Sequence, residues 1–349
     1  MRARASNLPL LLAAVWTLLI LYGSLYPFAG WRDTGSALLA FLTAPWPRYF
    51  TAFDLLANLL AYLPFGFFWT AAGLRRLAPL FALLIAAFFG AALSLGIETL
   101  QNYLPSRVPS NLDLACNALG ALVGALAALA WGRSWLDGGR LYRFRVQRFL
   151  PGTAGDVGLL LVALWLFTQL NPESFLFGNG QLRSLMGLPA ALDFEAGRFG
   201  EFELATVAAQ SLAIALIGSR LAPRRPFLWP MALILVALCI KSAALLILMQ
   251  GAKGLGWATP NTMAGLALGL LLWLAAMGLA PSVRQALAAL ALMTATVLAN
   301  LMPDNPYLAD SLRVWQQGHF LNFNGLTRLA SALWPFLALL WLMLSRSER

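Results

Sequence analysis

The sequence predicts an all-α integral membrane protein, a polytopic bundle of about ten transmembrane helices with both ends in the cytoplasm. Three observations carry this reading. Hydrophobic residues fill 60% of the 349 positions and charged residues only 11%, against roughly 25% charged in a typical soluble domain. The apolar residues gather into runs near the 20 or so residues that cross a bilayer. The basic residues then alternate in density from one side of those runs to the other.

Ten runs qualify in order: 8–28, 52–73, 77–97, 111–132, 156–171, 200–219, 227–249, 259–280, 284–301 and 325–345. The fifth is short and the ninth is polar at its ends. The first follows Met1-Arg2-Ala3-Arg4 and outruns the 7–15-residue apolar core of a cleavable signal. Ser24-Leu25-Tyr26-Pro27-Phe28 is also a poor cleavage site, so the run is expected to stay as a helix. Helix is the default for each run, because a spanning segment must satisfy its own main-chain hydrogen bonds. With the N-terminus inside, the inner loops take fifteen of the 24 Lys and Arg residues, the outer segments take eight, and Lys241 falls within the seventh run. That bias has the sign of the positive-inside rule. Eleven of the 14 acidic residues fall at or near the outer face, where first helical turns favour them.

The segment 133–155 is the longest inner one and carries five arginines. It divides the chain into a four-helix domain at 1–132, a basic cytoplasmic loop at 133–155, suited to anionic headgroups, and a six-helix domain at 156–349. The net charge of +10 therefore reads as topology, and no nucleic-acid partner is expected, since no fold fingerprint for one is present. Cys116 and Cys239 lie inside apolar runs and read as small packing residues. With His319 the single histidine, no His-rich metal site and no cofactor are expected, and a metal site built on carboxylates alone stays open.

Polar residues interrupt the apolar pattern most densely between Thr51 and Gly124. The second run opens Thr51-Ala52-Phe53-Asp54-Leu55-Leu56-Ala57-Asn58 and the fourth opens Ser110-Asn111-Leu112-Asp113-Leu114-Ala115-Cys116-Asn117. Both read Ser/Thr-x-x-Asp-Leu-x-x-Asn. A capping box accounts for the hydroxyl and the acid. It does not account for Asn58 and Asn117, one turn deeper on the same helix face, where a polar group is costly unless paired or wet. The third run ends Ser94-Leu95-Gly96-Ile97-Glu98-Thr99-Leu100-Gln101, with Ser94, Glu98 and Gln101 on one stripe. A stiff loop follows, with Arg107 between Pro105 and Pro109. Gly66, Gly120 and Gly124 allow close helix approach, and Pro64 is expected to kink its helix and free carbonyls.

Two readings of this set stand side by side. In one, the polar residues glue the bundle and Arg107 neutralises an acid. In the other they form a pocket opening outward, in which Glu98 and Asp113 are acid/base candidates and Asp54, Asn58, Gln101, Arg107 and Asn117 bind substrate, with Arg107 as an anion clamp.

The pattern Asp54-x3-Asn58-x5-Pro64-x-Gly66, then Glu98-x2-Gln101-x5-Arg107-x5-Asp113-x3-Asn117-x2-Gly120, resembles the VanZ-like membrane protein family over roughly 50–132. The resemblance implies a multi-pass protein of the bacterial cytoplasmic membrane linked to the cell envelope, in a family whose founding member is associated with teicoplanin resistance. It is silent on the last six runs.

Three functions compete. The first is an envelope factor that binds or modifies a lipid-linked or cell-wall precursor; no nucleophile or cofactor motif supports a named reaction. The second is a transporter or flippase, for which an aqueous path reaching both faces is the expected sign and inverted repeats the usual one; none is evident between the second and fourth runs, which point the same way. The third is a scaffold, with the polar cluster paired internally. Membrane lipids are partners in all three. In the second half, Lys241 either snorkels or faces a cavity. The segment Trp315–Gly325 reads as an aromatic belt or as a lid over the polar pocket.

Overall fold

Helices are what hydrocarbon permits, and the chain is built from them. The computed structural model describes residues 7–46, 52–136, 138–248, 254–305 and 321–345, and no strand occurs among them. Thr51, and the segment from Trp315 to Phe320 with His319, lie outside the described residues. The helices run α1 Leu8–Leu25, α2 Ala40–Thr43, α3 Ala52–Gly73, α4 Pro79–Gln101, α5 Asn111–Leu136, α6 Arg140–Arg148, α7 Gly152–Thr168, α8 Leu182–Leu185, α9 Ala196–Leu221, α10 Leu228–Leu248, α11 Pro260–Ala276, α12 Pro281–Leu301 and α13 Leu321–Leu344.

Eight of these are long and apolar enough to cross a membrane: α1, α3, α4, α5, α9, α10, α12 and α13. The protein is therefore a polytopic helical membrane protein. The fifth and eighth runs of the sequence form the shorter α7 and α11, of 17 residues each, whereas the ninth forms a full 21-residue helix. Much of the segment 133–155 is helical rather than open loop, since α5 continues to Leu136 and α6 occupies Arg140–Arg148. Arg, Leu and Gln there are good helix formers.

The chain divides into two compact units, Met1–Gln147 and Arg148–Arg349. In the first, α3 and α5 approach backbone to backbone. A Cβ at Gly66 would overlap the Ala121 carbonyl, one at Gly120 the Leu59 carbonyl, and one at Gly124 the Leu63 carbonyl. The core of this unit joins Ile20, Tyr62, Phe65, Ile97 and Ala121. Pro64 sits inside α3, which runs on through it. Proline removes one helical donor. The carbonyl that loses its donor is that of Leu60; beside it, the indole of Trp16 on α1 donates to the Ala61 carbonyl at 2.7 Å and so ties α1 to α3.

In the second unit α9 is the central post, with 72% of its most apolar window buried against 28–50% for the other spanning helices. Gly265 and Gly269 of α11 pack on its backbone, where a Cβ would meet Leu204 and Ala208. Around it lie Trp165, Phe177, Trp273, Trp334 and Trp341. A buried indole N–H needs an acceptor, and main-chain carbonyls supply two: Trp334 donates to Leu161 at 2.7 Å and Trp341 to Ala154 at 2.8 Å. Cys239 is exposed rather than packed, which in a membrane helix means contact with lipid.

Candidate functional site

Ser110 organises the outer end of the first unit. It is the N-cap of α5, and its hydroxyl accepts from the Asp113 amide at 3.3 Å. In a capping box the acid three residues on would reach back to the cap's own N–H. Here that N–H donates instead to Glu98 Oε2 on α4, at 2.8 Å. The Asp113 carboxylate is thereby released from capping. It turns to α3, where Asn58 hydrogen-bonds it and Asp54 lies close enough to repel it. The residues read from sequence thus meet at one end of three helices, in three groups.

The first group is Asp54, Asn58 and Asp113, all partly exposed. The second is buried: Glu98 is 3% and Asn117 5% exposed. The Asn117 amide donates to Ser94 Oγ at 2.9 Å, while its oxygen has no partner among the described residues. Tyr62 belongs here too. Its hydroxyl lies near Ser94 and Glu98, is buried, and makes no full hydrogen bond among the described residues. The sequence reading missed Tyr62, although Asp54, Asn58 and Tyr62 form an i, i+4, i+8 stripe that would have found it.

The third group faces α1, whose last carbonyls have no helical donor. Arg107 Nη2 donates to the carbonyls of Gly23 and Tyr26, each at 3.2 Å, and Gln101 Nε2 donates to that of Ser24 at 2.9 Å. Burial pulls the Arg107 pKa below its ordinary value, and the Glu98 carboxylate opposes that pull. Guanidinium keeps its charge in proteins, so Arg107 remains a cation that holds the end of α1. Replacing it with Gln should release that end: amide exchange of residues 24–28 is expected to rise about tenfold by hydrogen-exchange mass spectrometry, the loss of one charge-assisted hydrogen bond or more. Unchanged exchange would mean that Gln101 alone suffices.

The second unit carries a separate polar cavity of about 850 Å³ at one end of its bundle. Lys241 lines it but does not snorkel. It is 1% exposed, and its ammonium donates to the carbonyls of Asn171 at 2.7 Å and Ser174 at 2.5 Å and to Ser174 Oγ at 3.2 Å. The loop after α7 is thus folded over this amine. Among the described residues no cluster of His, Cys, Asp and Glu suited to a metal occurs.

Residues 10–132 match the family model described as VanZ/LLP1. The match begins upstream of the motif, taking in α1, whose carbonyls Gln101 and Arg107 engage. No curated protein and no solved structure matches the chain.

Proposed function

We propose that this membrane protein, whose residues 10–132 match the VanZ/LLP1 family model, acts in the bacterial cell envelope, within the cytoplasmic membrane, by holding a lipid-linked or cell-wall precursor at the polar end of its first unit. The observation that supports this is the pair Asp54 and Asp113. Two carboxylates from different helices stand within electrostatic reach of each other, partly exposed at the helix ends. Like charges at that range cost energy. A ligand that brings an ammonium or several hydroxyls relieves the repulsion. Glu98 and Asp113 are the acid/base candidates in this reading, and a role in the response to glycopeptide antibiotics is the envelope function that the likeness of residues 10–132 to the VanZ/LLP1 family suggests.

A second reading, a non-catalytic envelope scaffold, draws support from the internal partners of Glu98, Gln101, Arg107 and Asn117. Native mass spectrometry of the protein from its own membrane, beside Glu98→Gln, Arg107→Ala and Asp113→Asn, separates the two. The expected result is a specific lipid or envelope precursor on the parent protein, reduced at least tenfold in Asp113→Asn with the fold intact. The same lipids on all four proteins would favour the scaffold.

A further inference from the structure

The second unit has cavities at both ends of its bundle. The one of about 850 Å³ touches Gly200 and Glu203 near the start of α9, at the end that the loop charges assign to the outside. Another of about 490 Å³ touches Leu216, Ser219 and Arg220 near the finish of α9. Between them α9 is surrounded by protein and carries polar side chains inward. Thr206, Gln210 and Ser211 are each 0% exposed, and their side-chain oxygens, with the Gln210 amide nitrogen, have no hydrogen-bond partner among the described residues. Glu203, Thr206 and Gln210 fall at i, i+3 and i+7, one stripe of the helix. Orphaned polar atoms at this depth are expensive in a membrane and mark water-filled or functional paths.

We propose that the second unit is a passage for small neutral hydrogen-bonding solutes, running along α9 from one cavity to the other and shut in this structure by the apolar stretch Ala213–Ile217. That stretch is at most 4% exposed and lies between Ser211 and the inner cavity.

The chemistry of the outer cavity sets the solute class. Three acids (Glu173, Glu203, Asp304) and three bases (Arg183, Lys241, Arg328) line it, so its formal charges cancel. Arg183 binds Asp304 at 2.6 Å, Arg328 approaches Glu173 at 3.8 Å, and Lys241 is engaged by carbonyls. Its other polar groups include the amides of Gln181 and Asn261 and Glu203, whose Oε2 accepts from Thr259 at 2.9 Å. Such a set donates and accepts without selecting a net charge, and the stripe below it is uncharged. Both features fit hydroxyl- or amide-bearing solutes better than ions, and the inner cavity, lined by Arg220 and Arg284 with no acid among the described residues, adds a barrier to cations.

The test uses the full chain with Cys116→Ala and Cys239→Ala, adding Gln210→Cys or, as a packed-core control, Ala338→Cys, whose parent residue is 1% exposed. In proteoliposomes a membrane-impermeant thiosulfonate is expected to modify Gln210→Cys at least tenfold faster than Ala338→Cys. Vesicles bearing the parent protein should pass erythritol at least tenfold faster than protein-free vesicles in stopped-flow light scattering. Gln210→Leu should abolish that flux without lowering the unfolding temperature, because it removes an unsatisfied amide from the core. A Gln210→Cys as inert as the control overturns the passage, and so does equal reaction at both positions. Flux no greater than in protein-free vesicles overturns the solute class.

Discussion

Gly124→Val is expected to destabilise the first unit by about 3 kcal/mol, the upper range for forcing volume into a packed interface. The reason is geometric. The new Cβ would fall on the Leu63 carbonyl and crowd the Phe67 amide, and both belong to the α3 backbone, which cannot swing aside as a side chain can. Valine adds two methyl groups beyond that first collision. The helices must part, and the seam that also holds Gly66 and Gly120 opens with them. Gly96→Ala is the matched comparison. Nothing lies within 4 Å of its added Cβ, and Ala exceeds Gly in helix propensity by up to about 1 kcal/mol, so that variant should be neutral or slightly more stable. Denaturant unfolding of the purified full chain, followed by far-UV circular dichroism, reads both. Equal midpoints for Gly124→Val and the parent would show that the approach of α3 to α5 is not set at Gly124.

Lys241→Met should cost about 3 kcal/mol or more, through a different mechanism. Methionine keeps the length and the apolar stem but removes the donor from two main-chain carbonyls and one hydroxyl. Each buried acceptor left unpaired costs about 1–3 kcal/mol. The loop from Asn171 to Ser174 should then detach. Its side-chain ties include the Asn324 amide on Glu173 at 3.0 Å and the loose Arg328–Glu173 approach at 3.8 Å, which is worth little by itself. Limited proteolysis and hydrogen exchange at residues 171–176 are the direct measures. Protection equal to the parent's would assign the loop's order to Glu173 rather than to Lys241.

Much of the architecture was legible because bilayer solvation leaves few choices. Run length and apolarity located the helices, with α7 and α11 emerging shorter than their runs. The small-residue spacing at Gly120 and Gly124 marked a close helix approach, and the partner helix, α3, came only with the structure. The site was legible only in part. Spacing on a helix places Asp113 and Asn117 on one face, but it cannot say that a neighbouring helix will take over a capping bond. Glu98 does so at Ser110, and this decides where the Asp113 carboxylate points. Nor can a sequence show that Arg107 and Gln101 will spend donors on the carbonyls of α1, because main-chain acceptors carry no residue identity. In the second unit the large cavity sits among loops whose polar residues are dispersed along the chain, and Gln210 is one amide inside an apolar run. Neither forms a pattern in one dimension.

The burial of α9 also bears on how the chain is made. A helix enters the bilayer in the order of synthesis, and an apolar span can rest in lipid while it waits for neighbours. α9 is a poor candidate for waiting, since Glu203, Thr206, Gln210 and Ser211 are buried in the finished unit and would face hydrocarbon without their cover. That cover comes largely from α10, α11 and α12, which follow it in the chain. Its lodging in the membrane is therefore tied to the emergence of segments synthesised later, so that α9 and the helices that cover it settle as a group rather than one by one.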